Sequence, residues 1–215
     1  MNNVAVVLSG SGVFDGAEIN EVVLSLLYLE ESGIAYQCFA PDKLQHHVID
    51  HISGDEIEGQ NRNILTESAR IVRGNVKPLS ELKASDYGGL LVPGGFGVAK
   101  NLSSFAYEGK DFSLDETFKE VMQAFKNSSK PAGYMCIAPV LLPHIYETVT
   151  CTIGNDENIA SIIEELGGKH VDCPVEDVIV DERNKVVTTP AYMLASNMKD
   201  ASRGIKKLID SLMKL

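Results

Sequence analysis

Three features that would each have set a function class are missing from this sequence: a cluster of basic residues, paired cysteines, and an apolar run of membrane length. Acidic residues outnumber basic ones, 30 against 19, giving a formal net charge of −11, and the lysines and arginines are scattered. A phosphate-backbone binder needs a clustered basic face, so nucleic acid is not expected as a partner. The opening, MNNVAVVLSGSGVF, has no basic segment, and its apolar run is broken by Ser and Gly after about five residues, too few for a signal core or a membrane span. The expectation is a cytoplasmic protein with no membrane partner. Cys38, Cys136, Cys151 and Cys173 show no CxxC spacing and no His pair at ligand spacing from them, which argues against a zinc site. Without export signals they read as free thiols, each to be judged as core filler or as chemistry. Repeats and low-complexity linkers are also absent, and 215 residues at 44% hydrophobic composition are enough to close one core. A single domain over residues 1–215 is expected.

What is present alternates. The β-branched run VAVVL at 4–8 ends at SGSG, as a parallel strand buried on both faces does before a tight turn. EINEVVLSLLYLEESG then sets Val22, Val23, Leu26, Leu27 and Leu29 on one helical side and stops at Gly33. Further strands are read at 35–39, at 89–92 before Pro93-Gly94-Gly95, and at 132–135 before Cys136, with helical periodicity over 114–125 and 159–166. Strands alternating with helices of this length indicate an α/β fold with a doubly wound, mostly parallel sheet and helices on both faces. Two regions depart from the rhythm. Residues 42–77 are polar, with His46, His47 and His51 near their start and a helical stretch near 63–71; they read as an excursion, a lid or a dimer contact. VIVDERNKVVTT resembles a β-hairpin turning at 181–185, followed by a closing helix from about Ser196.

In open parallel sheets, ligands collect beyond the carboxyl ends of the strands. Three loops sit there: Ser9-Gly10-Ser11-Gly12, Pro93-Gly94-Gly95-Phe96-Gly97, and Cys136-Ile137-Ala138-Pro139. The first lacks the glycine spacing and the acidic strand end of a dinucleotide fingerprint, so nucleotide binding is set aside. Cys136 is the sharpest feature, a thiol at a strand end followed by the helix-like IAPVLLPHIY. A helix N-terminus there would lower the thiol pKa and favour the nucleophilic thiolate. The plainer alternative, a buried inert cysteine, suits Cys38 and Cys151 better. Glu18, opening the first helix, is the candidate general acid/base; an ordinary dipole-complementing glutamate is nearly as good an account of it. The backbone N–H groups of Gly94, Gly95 and Ile137 are the candidate oxyanion donors.

The strings LSGSGVFDGAEINE, CFAPDK, VPGGFGVAKNLSSFA, YMCIAP and VVTTPAYMLA resemble the ElbB-like branch of the PfpI and class I glutamine-amidotransferase-like superfamily, in order over almost the whole chain. The resemblance implies a flavodoxin-like fold, a nucleophile elbow, frequent dimerisation, and a glutathione-independent glyoxalase role with a link to isoprenoid production. By position Cys136 matches the elbow cysteine, Glu18 its acidic partner, and Gly95 and Ile137 the oxyanion backbone. Protease-like members and true amidotransferases carry a histidine partner, the former directly after the elbow cysteine, where Ile137 stands here. His144 and His170 have no clear route to the thiol, which weakens proteolysis and glutamine hydrolysis.

The expected function is therefore a glyoxalase III-like enzyme that converts small 2-oxoaldehydes to hydroxyacids through a Cys136 hemithioacetal. Its substrate partner is a small aldehyde, it works as a homodimer, and it needs neither a cofactor nor a metal. The alternative is a cysteine-based redox or carbonyl-stress sensor without turnover.

Overall fold

The computed structural model describes residues 3–215. The first half of the chain runs β1 (Asn3–Val7), α1 (Ile19–Glu31), β2 (Ala35–Ala40), α2 (Ile64–Ile71), β3 (Val76–Pro78), β4 (Gly89–Val92), α3 (Phe96–Lys100) and α4 (Phe105–Glu108). The second half runs α5 (Glu116–Asn127), β5 (Ala132–Met135), β6 (Thr150–Cys151), α6 (Glu157–Glu165), β7 (Lys169–His170), β8 (Ile179–Asp181), β9 (Val186–Thr189) and α7 (Met198–Leu212). Seven strands form one sheet in the order β3-β2-β1-β4-β5-β9-β8, and β6 pairs with β7 apart from it. All the pairs in the large sheet are parallel except β8 with β9, the antiparallel hairpin expected at 181–185. The architecture is flavodoxin-like and doubly wound, as expected.

The continuous apolar strands follow from burial on both faces. Along β1, Val4 and Val6 belong to one core while Ala5 and Val7 belong to the other, the period of two that a strand imposes. The first core joins the sheet to α1 and α7 through Val22, Leu29, Ala201, Ile205, Leu208 and Leu212. The second joins it to α5 through Phe118, Val121, Met122 and Phe125. Helix starts are fixed locally: Asn63, Asp115, Asp156 and Asn197 each accept a backbone N–H from three residues on. At the end of α1, Gly33 takes φ +69°, the left-handed turn a C-terminal glycine permits.

The chain reverses its direction of winding at β1. From there it builds outward to β2 and β3 on one side and to β4 and β5 on the other. The carboxyl ends of β1, β4 and β5 therefore meet at a topological switch point, where such sheets bind ligands.

Two expectations are revised. The polar segment 42–77 is not one excursion. Its second half holds α2 and the edge strand β3, in register with β2 at Cys38–Val76, so it is an ordinary crossover of the sheet. Its first half, held by the bridges Leu44–Asn63 and Ile49–Glu56, folds over the loop after β1. The segment after Cys136 is not an α-helix but a 3₁₀ stretch, Ala138–His144, with Pro139 near its start and Pro143 inside it. Proline removes the N–H donors that an α-helix needs.

Leu208 is fully buried where α7 meets β5, and its Cδ2 would lie 2.9 Å from a Cβ placed on Gly133. Leu208→Ala should cost about 2–5 kcal/mol in a denaturant titration, with the far-UV spectrum unchanged.

Candidate active site

Cys136 follows the last residue of β5 and adopts φ +60°, a left-handed conformation rarely taken by a residue with a side chain. Such a conformation costs roughly 1–3 kcal/mol and persists only where its surroundings enforce it. Here Cys136 N donates to Thr189 O at 3.1 Å, carrying the β5–β9 ladder up to the bend. The result is a nucleophile elbow, with the sulfur held where the β1, β4 and β5 loops converge.

The acidic group beside this sulfur is Glu21, one helical turn beyond Glu18. Glu21 is completely buried, with its carboxyl beside the thiol: a Cβ on Gly94 would lie 2.8 Å from Glu21 Oε2 and 2.9 Å from Cys136 Sγ. Its Oε2 accepts from Gly94 N at 2.7 Å and its Oε1 from Tyr192 N at 3.1 Å. Glu18 serves a different end. Its Oε2 accepts from Glu21 N at 2.6 Å, capping α1, and its own backbone N donates to Gly94 O at 3.0 Å. Glu18, the expected acidic partner of the thiol, caps α1, and the carboxyl set beside the thiol is that of Glu21, on the same turn. The signal for Glu21 was a charged residue on the buried face of an apolar helix, one position before Val22.

Gly94, Gly95 and Ile137 also divide their tasks. The N–H groups of Gly95 and Ile137 are on the sulfur side and act to lower the Cys136 thiol pKa. That of Gly94 is taken by Glu21 and is not free for an oxyanion. A Cβ on Gly94 would lie 2.3 Å from Cys136 Cβ, and one on Gly95 would lie 2.4 Å from both Glu18 N and Gly16 O. The chain at these two positions approaches its neighbours more closely than any side chain allows.

Burial decides the electrostatics. Desolvation, reinforced by the Glu18 carboxylate, pushes the Glu21 carboxyl up to about 8, against the backbone donors that pull it down. Desolvation likewise raises Glu18, against the backbone donors of Glu21 and Asn20. The Cys136 thiol is pushed well up, by desolvation first and the charge of Glu21 second, and the N–H groups of Gly95 and Ile137 do not offset this. The expected lowering of its pKa is thus corrected: the 3₁₀ stretch supplies no α-helical N-terminus, and the neighbouring group is an acid. Cys38 and Cys151, fully buried, are pushed up to about 12 by desolvation, as suits core residues.

The histidines lie elsewhere. His144 packs on Phe112 with ring centroids 4.3 Å apart, and His170 Nε2 accepts from Ile153 N at 3.2 Å. Among the described residues no group of three His, Cys, Asp or Glu side chains is placed to hold a metal ion.

Fold and site together define a class, the flavodoxin-like α/β proteins with a cysteine at a strand-end elbow. Within it the chain belongs to the glutamine amidotransferase-like class 1 domain proteins. It is 42% identical over 221 aligned residues to the human protein "glutamine amidotransferase-like class 1 domain-containing protein 3, mitochondrial", covering 99% of this chain and 82% of that one. Rat "ES1 protein homolog, mitochondrial" is 41% identical, over 99% of this chain and 83% of its own length. Zebrafish "ES1 protein, mitochondrial" is 34% identical, over 89% and 77%. The crystal structure of an isoprenoid biosynthesis protein with an amidotransferase-like domain from Ehrlichia chaffeensis superposes with a TM-score of 0.92 at 38% identity, covering 100% of this chain and 99% of that one. Glyoxalase III from Candida albicans shares the fold, at a TM-score of 0.64 and 13% identity over 98% and 97% of the two chains. No family model matches the chain. The three curated relatives are all named as mitochondrial, which overturns the expectation of a cytoplasmic protein.

Because the folded-state pKa of Glu21 lies above its unfolded value, the stability it contributes is present in full below pH about 4.5 and is lost as pH rises through about 8. Glu21→Gln should flatten that slope. Denaturant titrations of the two proteins from pH about 5 to 8 should show wild type losing stability relative to Glu21→Gln as pH rises, by on the order of 1 kcal/mol per pH unit.

Proposed function

We propose that the protein is a glutathione-independent glyoxalase of the ElbB-like branch, acting on small 2-oxoaldehydes through Cys136 with Glu21 as the proton-transfer group. The observation that carries this reading is a fully buried carboxyl, pushed up to about 8, set beside an elbow thiol, with no imidazole in contact with either. The branch is supported by the motifs of the sequence and by the likeness to the Ehrlichia isoprenoid biosynthesis protein. The shared fold of Candida glyoxalase III is compatible with the chemistry.

A carboxyl poised near 8 is a base in its ionised fraction and an acid otherwise, the range in which proton transfer is efficient at neutral pH. Glu21 takes the thiol proton as sulfur adds to the aldehyde carbon, then passes it to the new alkoxide, giving a hemithioacetal and restoring the carboxylate. The N–H groups of Gly95 and Ile137 lie beside the sulfur, where that alkoxide forms. Glu21 next removes the proton on the former aldehyde carbon, giving an enediolate; the hydroxyl proton of the hemithioacetal passes to the neighbouring oxygen, and Glu21 returns the carbon proton to the adjacent carbon. This yields a thioester of a 2-hydroxyacid. Water cleaves it, releasing the hydroxyacid and the free thiol, so methylglyoxal plus water becomes lactic acid. Cys136 keeps only 7% of its surface exposed, which suits a two- or three-carbon aldehyde better than a peptide or glutathione adduct.

The sensor alternative needs an exposed thiol of low pKa, and burial beside Glu21 produces the opposite.

The test is consumption of methylglyoxal without glutathione, followed to many equivalents with lactate as product. Cys136→Ser should abolish turnover, Glu21→Gln should reduce it by roughly 10²-fold or more, and Glu18→Gln should reduce it less. Consumption of one equivalent per thiol would favour the sensor, and unchanged rates in both Cys136→Ser and Glu21→Gln would remove the mechanism.

The homodimer belongs to the same proposal. It is supported by the exposed stripe Ile19, Val23 and Leu27 on α1, each 44–49% accessible at a spacing of four residues. Sedimentation equilibrium should give a dimer that Leu27→Lys converts to a monomer.

A further inference from the structure

The first half of the 42–77 segment contributes nothing to the reaction above, yet it ends in two side chains set on the loop that carries the site. Asp15, in the loop after β1, is 3% exposed. Its Oδ2 accepts from Ile49 N at 2.7 Å and from Gln45 Nε2 at 3.2 Å. Its Oδ1 faces His51 Nε2 at 3.8 Å, too far for a hydrogen bond. His51 Nε2 instead accepts the backbone N–H of Phe14 at 3.2 Å, while Nδ1 lies 3.1 Å from Ile49 O. This pair of partners places the proton on Nδ1 and leaves the ring neutral. The half-exposed ring fits against the loop only because residue 12 is glycine, whose Cβ would meet Nε2 at 2.5 Å.

The same loop holds the oxyanion segment. Phe96 N donates to Val13 O at 2.7 Å, Gly97 N to Gly16 O at 2.8 Å, and Glu18 N to Gly94 O at 3.0 Å. Residues 13–16 thus lie between His51 and the Gly95 N–H on the sulfur side of Cys136.

We propose that Asp15 and His51 form a proton-operated brace on the oxyanion loop. Neutral His51 holds Phe14 N–H, while protonated His51 turns its new Nε2–H to Asp15 Oδ1, loosening residues 13–16 from 94–97 and slowing chemistry at Cys136. The proton comes from solvent at the exposed edge of the ring, and no other bond is made or broken. Both are positioning residues, and the proposal rests on the reading of Cys136 as the nucleophile. Asp15 on the glycine loop faces the ring, Lys100 of α3 donates through Nζ to Phe14 O at 2.8 Å beside it, and the segment that carries His51 also carries His47, Asp50, Asp55 and Glu56.

The test measures the iodoacetamide alkylation rate of Cys136 in the full chain, read by mass of its peptide, for wild type, His51→Gln and Asp15→Asn. Glutamine can accept the Phe14 N–H but cannot gain a charge. Dividing the wild-type rate by that of His51→Gln removes the titration of the thiol and of Glu21. The ratio should fall roughly fivefold from the alkaline to the acid side of the histidine range, about pH 8 to 5.5, a modest coupling between two sites. Asp15→Asn, which leaves the protonated ring no anion to turn to, should show no such fall. A flat or rising ratio, or an Asp15→Asn protein that keeps the wild-type step, would overturn the brace. If one variant does not fold, the other carries the comparison alone. Alkylation requires no aldehyde, so a protein that makes no lactate yet shows the step removes the glyoxalase reading and leaves the brace standing.

Discussion

Everything at this site depends on holding a carboxyl group in a place without water. Glu21 has both oxygens hydrogen-bonded by backbone N–H groups, from Gly94 on the β4 loop and Tyr192 on the turn after β9, and the same carboxyl lies beside the Cys136 thiol. A fully buried carboxylate without such donors would be costlier than the fold could support. With them it remains ionisable but reluctant, pushed up to about 8. Three segments far apart in sequence are tied through one side chain, and the elbow, the glycine loop and the end of the sheet cannot move independently of it.

The glycines follow from that constraint. To bring its N–H to Glu21, Gly94 must pass so near Cys136 that any Cβ would occupy the cysteine's own, and Gly95 must pass as near the backbone of residues 16–18. Close backbone approach, rather than turn-making alone, fixes the residue type at both positions. Asn101 extends the same logic one layer out. Its Nδ2 donates to Ser9 O at 2.8 Å and Asp15 O at 2.9 Å, so the end of α3 secures the same β1 loop to which Phe96 N and Gly97 N donate.

The fold was legible because its signals are long: β-branched runs ending in glycine turns, and helical stripes bounded by caps. β3, β6 and β7 were missed because two or three residues cannot display a period, and β3 takes its strand form from pairing with β2 rather than from its own pattern. The elbow at Cys136 and the glycine loop were legible as places. Their electrostatics were not. A proline-rich 3₁₀ stretch looks helical in one-letter code, and the sign of the thiol shift rests on which of two glutamates three positions apart reaches it. Glu18 begins the helix, where sequence rules seek functional acids and caps alike; Glu21 sits inside its buried stripe, where only the three-dimensional neighbourhood shows a partner.

The absence of an imidazole then acquires a physical meaning. A histidine beside a cysteine stabilises the thiolate as an ion pair and yields a nucleophile that is already charged. A carboxyl beside a cysteine cannot do this, because two anions in a dry pocket repel, so the pair carries a proton until a substrate offers somewhere for it to go. Such a site suits electrophiles whose carbonyl oxygen takes up that proton as sulfur adds, which aldehydes do readily. It suits amides poorly, since their nitrogen must be protonated before it leaves, by an acid placed on its far side. On the function proposed above, the burial of Cys136, with His144 and His170 engaged elsewhere, is what addition to an aldehyde asks for and what amide hydrolysis does not.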